Sequence, residues 1–285
     1  MVEKNKPIWR IVIFKKFIIM KICTYYENIN GKHFKEQDKL IDLWKSSWES
    51  EGFDVIILGI DDAKKSPMYE DFCKKMRYIF HETTGKNLNH YGLSCFLRWL
   101  AYSTLQNQDE QILVSDYDVI NTGLWKPWHP VTNKLHFLDS FCPCMASGTP
   151  RQFKLLCDAF FEVTMDRLKV LKSKINHYHD QEFFQFNFNS KINPEAKSLW
   201  IKYGFYFSRS KDAVCPYDNK FDNTRAFHVS HRNCAVFKNK FPEEVGNLSL
   251  DEVRLYICRK ILKNKEKNSF KLSNVDLVYG GWKMF

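Results

Sequence analysis

One stretch of this 285-residue chain constrains its fold more than any other, the segment from Ile112 to Ile120. The segment begins with three apolar residues, which is typical of a strand buried on both faces. Asp116 and Asp118 follow where that strand should end, and the period of two along a strand sends both to the same side. Because a buried, unpaired carboxylate is unfavourable, the pattern predicts a partner for the pair, most simply a divalent cation.

The residues before this segment alternate between strand and helix patterns. Strands are predicted over 21–25 and 53–58, with a helix over 34–48 between them, which favours a parallel β-α-β unit. Further helices are predicted over 68–80 and 93–105. The alternation is typical of a Rossmann-like half, in which ligands bind at the carboxyl ends of the strands. No G-x-G-x-x-G loop is present to bind phosphate groups. A metal ion is therefore expected to bind the phosphates of the ligand instead of such a loop.

The second half carries clear helix starts. Thr149 is a predicted N-cap for a helix that runs to about Leu171, and Asp180 is a predicted N-cap for a short helix. Residues 226–231 are predicted to form a short strand that ends in histidine. Residues 249–252 have the capping-box pattern Ser-x-x-Glu and open the last clear helix. We interpret residues 1–19 as an N-terminal extension, 20–245 as one domain and 246–285 as a C-terminal helix and tail packed on it.

Composition limits the possible settings of the protein. Hydrophobic residues make up 44% of the chain and the net charge is +10, but the lysines are scattered, so nucleic acid is not an expected partner. Nine cysteines without a regular framework favour reduced thiols and a cytoplasmic location. The extension is too short and too charged to span a bilayer. It is either an added arm or a basic segment that makes peripheral contact with a membrane surface.

The order of these features resembles the GT-A fold nucleotide-sugar glycosyltransferases. The segment Phe96-Leu97-Arg98-Trp99-Leu100, followed by Ile112 to Asp118, is similar to the L-R-x-x-x-L and Y-x-D-x-D segments of that superfamily. The resemblance covers roughly residues 20–235. It implies an α/β fold with a mixed, mostly parallel sheet flanked by helices, in a single domain with a C-terminal helical appendage.

The resemblance also implies an activity, the transfer of a sugar from a UDP- or GDP-sugar to a glycan, lipid-linked or protein acceptor. Mn²⁺ or Mg²⁺ would be the cofactor, and it would neutralise the diphosphate leaving group. The implied metal ligands are Asp116, Asp118 and one histidine. Asp116 would alternatively bind the ribose. The histidine is His231 or His228, with a slight preference for His231.

The remaining implied roles concern the donor and the catalytic base. Thr24 and Tyr25 would lie beside the nucleotide base, Arg98 beside the donor phosphates and Gly148 near the donor sugar. Asp180 and Glu182 match the acidic position that deprotonates the acceptor in inverting members. Without the resemblance, Asp180 is explained by N-capping alone and Arg98 by a structural ion pair.

Two other functions stay open at this level. A nucleotidyltransferase acting on a sugar phosphate also needs paired carboxylates and a metal, although the glycine-rich signature usual near its first strand is missing after Tyr25. A non-catalytic basic protein that binds nucleic acid or membrane would account for the net charge. It predicts salt-sensitive binding that does not depend on metal.

Overall fold

The structure is a computed structural model that describes residues 20–29, 36–126, 134–138, 143–172, 175, 177–207 and 226–266. The predicted extension at residues 1–19 and the tail after residue 266 lie outside these ranges. The described strands are β1 (Lys21–Tyr25), β2 (Asp54–Leu58), β3 (Ile112–Ser115), β4 (Val119–Asn121), β5 (Leu135–Phe137), β6 (Met145–Gly148), β7 (Phe205–Phe207) and β8 (Ala226–His228). The described helices are α1 (Gln37–Glu49), α2 (Ile60–Lys64), α3 (Tyr69–Thr84), α4 (His90–Ser103), α5 (Pro150–Asp166), α6 (Leu168–Lys172), α7 (Asp180–Phe188), α8 (Ala196–Tyr203), α9 (His231–Lys240), α10 (Pro242–Val245) and α11 (Leu250–Glu266).

A six-stranded sheet in the order β2-β1-β3-β6-β5-β7 forms the centre of the molecule. Strand β1 pairs in parallel with β2 and β3, and β5 pairs in parallel with β7, whereas β6 runs antiparallel to both of its neighbours. A separate two-stranded sheet joins β4 to β8. The predicted class, a mixed and mostly parallel sheet flanked by helices in a single domain, is confirmed, and the fold is consistent with a Rossmann-like architecture.

Helices cover both faces of the sheet and form two apolar layers. Val114 lies in the layer that includes residues of α3, α4, α5 and α7. Leu113 faces the opposite layer, which includes residues of α1, α9 and α11. Successive residues of β3 therefore enter opposite cores, as the apolar run predicts for a strand buried on both faces.

Several predicted helix limits differ from those in the structure. Helix α3 continues to Thr84, where Gly85 adopts φ 69° and ends it. The predicted helix to residue 171 is divided at Arg167 into α5 and α6. The sequence over 190–227 is rich in aromatic and turn residues and predicts irregular structure, but its part over 190–207 contains α8 and β7. In contrast, Thr149 caps α5 as predicted, since its hydroxyl accepts a hydrogen bond from the N–H of Gln152.

The last helix is part of the core, although the sequence suggests an appendage. Its capping box forms as predicted, with Ser249 N–H donating to Glu252 at 2.7 Å. Val253, Cys258 and Ile261 are buried in the same apolar layer as Leu113 of β3. In the part of the chain that the structure describes, none of the helices has the length and apolar character needed to cross a membrane.

Candidate active site

A turn at the carboxyl end of β3 places Asp116 and Asp118. The strand ends at Ser115, the Asp116 N–H donates to the carbonyl of Cys144, and the Val119 N–H closes the turn on the Asp116 carbonyl at 3.0 Å. The prediction that strand alternation aligns the two carboxylates was therefore wrong. They are brought together because the chain turns between β3 and β4, which belong to different sheets.

Helix α1 fixes this turn from one side. The indole Nε1 of Trp44 donates to Ser115 Oγ, and that of Trp48 donates to the Val119 carbonyl, both at 3.0 Å. Both tryptophans are fully buried. The two indoles therefore hold the residues on either side of the carboxylates, which reduces the freedom of the site before any ligand binds.

Asp118 is buried between a histidine and an arginine. Its Oδ2 accepts a 2.7 Å hydrogen bond from Nη2 of Arg254, and its Oδ1 lies 3.4 Å from Nε2 of His228. Burial opposes ionisation, but His228 and Arg254 outweigh it and hold the pKa of Asp118 well below its ordinary value. The carboxylate is therefore ionised, as a metal ligand must be.

His228, and not His231, is grouped with the two aspartates. One ligand atom from each of Asp116, Asp118 and His228 lies within 4.8 Å of the others. Strand β8 ends at His228, and His231 is the first residue of α9, after the N-cap Ser230. The predicted strand ending at residue 231 was thus too long. The His231 ring contacts Asp251 at 2.9 Å.

Arg98 joins Asp116 to Asp180 across the floor of the site. Its guanidinium donates to Oδ1 of Asp116, and its Nε donates to Oδ2 of Asp180 at 2.9 Å. The same Oδ2 accepts the indole N–H of Trp99 at 2.9 Å. Burial disfavours the charge on Arg98, but the two carboxylates outweigh it and raise the pKa of the guanidinium. The structural ion pair considered for Arg98 is therefore formed.

Asp180 and Glu182 occupy different positions on α7. The N-cap is His179, so the prediction that Asp180 caps the helix was wrong by one residue. Glu182 completes the capping box by accepting the His179 N–H at 2.9 Å. Burial raises the pKa of Glu182. Asp180 is almost fully buried, whereas Glu182 is partly exposed.

The other predicted donor residues are divided by the structure. Tyr25 lines the site cavity, and its hydroxyl donates to Glu27 at 2.8 Å. Thr24 is fully buried, and its hydroxyl has no hydrogen-bond partner among the described residues. Gly148 pairs with Ile112 at the opposite end of β3, roughly 10 Å along the strand from Ser115. Neither Thr24 nor Gly148 is among the described residues that line the cavity.

These side chains surround one cavity of about 740 Å³, a volume typical of small-molecule sites. Its described lining includes two guanidiniums, those of Arg98 and Arg254, and seven carboxylates. The formal charge of these nine groups is therefore −5 when the histidines are neutral. The carboxylates are those of Glu27, Glu36, Asp38, Asp116, Asp118, Asp180 and Glu182.

Comparison with known proteins gives no further identification: no protein-family model matches the chain, and neither a curated protein nor a solved structure is significantly similar to it. A function for this chain is therefore proposed from the geometry of the site.

Arg254 is a site residue that the sequence interpretation missed. Its side chain is only 3% exposed, and its Nε donates to the Val229 carbonyl at 3.1 Å. A local signal existed, because Arg254 lies next to Val253 and four residues before Cys258, on the apolar side of the predicted helix. A charged residue on the buried face of a helix needs a partner, and that partner is Asp118.

Proposed function

We propose that the protein is a metal-dependent glycosyltransferase that moves a sugar from a nucleotide-diphosphate sugar to a hydroxyl acceptor. The observation that carries the proposal is the convergence of Asp116, Asp118 and His228 in the cavity at the carboxyl end of β3. A second support is the resemblance of the Arg98 helix and the Asp-x-Asp segment to the GT-A glycosyltransferases.

The charge of the cavity favours a cation-dependent ligand. The chain as a whole carries +10, but the charged groups that line the cavity sum to −5. A nucleotide diphosphate is an anion and would be repelled by such a lining. A bound divalent cation would reduce the negative charge of the lining and would supply the positive charge that the phosphate oxygens need.

The donor set fits Mn²⁺ or Mg²⁺. Atoms bound to one ion by bonds of about 2.1 Å lie roughly 3.0–3.5 Å apart at adjacent positions. The 3.4 Å separation of Asp118 Oδ1 from His228 Nε2 lies within that range and is long for a hydrogen bond. Two carboxylates suit either ion, and the imidazole favours Mn²⁺ because transition ions accept nitrogen ligands more readily.

The two arginines would position the carboxylates and compensate charge. Arg98 orients Asp116, and Arg254 orients Asp118, so each carboxylate is paired with a guanidinium. Both guanidiniums also line the cavity, where they can donate to phosphate oxygens. When bound, the cation would neutralise the diphosphate that leaves as the glycosidic bond breaks.

Glu182 is better suited than Asp180 to be the base. Asp180 uses Oδ2 to accept from both Arg98 and Trp99 and is almost fully buried, which fits a positioning residue. Glu182 is partly exposed in the cavity wall, and its raised pKa makes it a stronger base. In an inverting reaction, the acceptor oxygen would bond to the anomeric carbon as the carbon–phosphate-oxygen bond breaks. Glu182 would take the acceptor proton.

The proposal is tested by release of nucleoside diphosphate from a panel of UDP- and GDP-sugars, with Mn²⁺, with Mg²⁺ and with a chelator. We expect release with at least one donor that depends on the metal and is abolished by chelation. A nucleoside triphosphate and a sugar phosphate are assayed in parallel for pyrophosphate. Pyrophosphate release without turnover of any nucleotide sugar would replace the proposal with nucleotidyl transfer.

A further inference from the structure

A second group of metal-ligand side chains lies in the wall of the same cavity. His177, His179 and Glu182 each offer one ligand atom, and the three atoms lie within 4.8 Å of one another. The facing ring nitrogens, Nε2 of His177 and Nδ1 of His179, are 2.9 Å apart. All three residues line the cavity.

The fold holds this group in place. The His179 ring stacks on Phe80 at 6.2 Å between centroids and meets the Tyr91 ring edge-on. Gly92 makes room for it, since a Cβ at that position would lie 2.7 Å from His179 Nε2. The His179 N–H donates to Glu182 Oε2, which ties the carboxylate to the same corner. Packing and hydrogen bonds outside the ligand atoms are what orient a metal site.

The two groups differ in chemistry. Asp116, Asp118 and His228 present two carboxylates and one imidazole, whereas His177, His179 and Glu182 present two imidazoles and one carboxylate. Carboxylates suit Mg²⁺ and Mn²⁺, and a set of two histidines and one glutamate suits Zn²⁺. The surplus of carboxylates in the cavity favours a second cation electrostatically.

We propose that His177, His179 and Glu182 form a second cation site, one that takes a borderline transition ion such as Zn²⁺. Three protein ligands leave a position open toward the cavity for water or substrate. Arg98 contacts Asp116 of the first group and also Asp180, which lies two residues before Glu182 of the second group. A consequence that rests on the proposed function is that Zn²⁺ inhibits transfer, because a ligated Glu182 cannot accept a proton.

Isothermal titration of Zn²⁺ into untagged protein in excess Mg²⁺ tests the site directly. We expect at least one bound equivalent, lost in His177→Gln and retained in Asp118→Asn. His81→Gln is the matched control, because this exposed histidine of α3 lies outside the cavity lining. Circular dichroism confirms that each variant folds, a necessary control because the exposed His177 ring also meets the core ring of Phe80 edge-on.

Two results would overturn the proposal: Zn²⁺ binding that is unchanged in His177→Gln, or binding that is lost only in Asp118→Asn, which would assign the ion to the first group. Because the titration uses no nucleotide, its outcome is independent of the glycosyltransferase proposal. The inhibition assay is read separately. If Zn²⁺ binds but does not inhibit an observed sugar transfer, the second cation site stands and Glu182 is excluded as the base.

Discussion

Arg254 Nη2 donates a 2.7 Å hydrogen bond to Asp118 Oδ2, and this bond joins two residues that are 136 positions apart in the chain. The arginine is 3% exposed and the aspartate 8% exposed. The pair connects helix α11 to the turn after β3, so the last described helix completes the candidate metal centre. A buried ion pair of this kind depends on both partners, because removal of one leaves the other charge uncompensated.

The first prediction concerns that pair. Arg254→Met should lower the free energy of unfolding by about 3–5 kcal/mol, because it leaves Asp118 buried without its guanidinium. Saturating Mn²⁺ should restore part of the loss, since the ion supplies the missing positive charge. Chemical denaturation with and without Mn²⁺ measures both effects. Arg259→Met, at an exposed position of the same helix, should change stability little with or without the ion.

The second prediction separates the two acidic residues of α7. Glu182→Gln should reduce turnover by roughly 10²–10⁴-fold, the usual contribution of a positioned base, while nucleotide binding stays near wild type. The glutamine retains an oxygen that can accept the His179 N–H, so the helix start is preserved. Steady-state kinetics together with nucleotide titration make the comparison. A glutamine variant with wild-type turnover would exclude Glu182 as the base.

Asp180→Asn should behave differently and lose stability. The carboxylate accepts hydrogen bonds from Arg98 and Trp99 in a buried position, so the neutral amide leaves Arg98 with a weaker partner. We expect a lower melting temperature and a weakened metal site, because Arg98 also orients Asp116. Thermal unfolding with and without Mn²⁺ measures this. An unchanged melting temperature would contradict a positioning role for Asp180.

The fourth prediction concerns Gly148, which the resemblance to GT-A glycosyltransferases implies to lie near the donor sugar. In the structure, an added Cβ would lie 2.8 Å from Cδ1 of Leu135 and 3.3 Å from Cζ of Phe153. Gly148→Ala should therefore cost about 1–3 kcal/mol through overpacking, with no effect on nucleotide affinity. Denaturation and calorimetry on one variant test both parts. Weaker nucleotide binding in a variant of unchanged stability would indicate that Gly148 does contribute to the nucleotide site.

The elements that the sequence predicts well are those with strong local patterns. The apolar run Ile112–Val114 predicts a strand buried on both faces, and the Thr149 cap predicts the start of α5. Both are confirmed because short-range hydrophobicity and capping determine them. The proximity of Asp116 and Asp118 was predicted from strand alternation, but it is the turn after β3 that brings the two side chains together.

The parts that were missed depend on contacts distant in sequence. The residues near Arg254 in sequence do not indicate that Asp118 is its partner, because α11 contacts the turn after β3 only in the folded molecule. The choice between His228 and His231 depends on where a three-residue strand ends, which local propensity does not define. Gly148 was expected near the donor sugar because of the resemblance, but the antiparallel register of β6 puts it at the other end of β3.

The most direct test of the metal centre is calorimetric titration of UDP and GDP into the protein with Mn²⁺ and with a chelator. We expect one of the nucleotides to bind only with Mn²⁺, and at a hundredfold excess over its Kd to stabilise the fold by about 2.7 kcal/mol. Asp118→Asn should abolish that metal-dependent binding, and Asp38→Asn, which removes another carboxylate of the cavity lining, should retain it. Nucleotide binding that is equal with and without Mn²⁺, or unchanged in Asp118→Asn, would contradict the account.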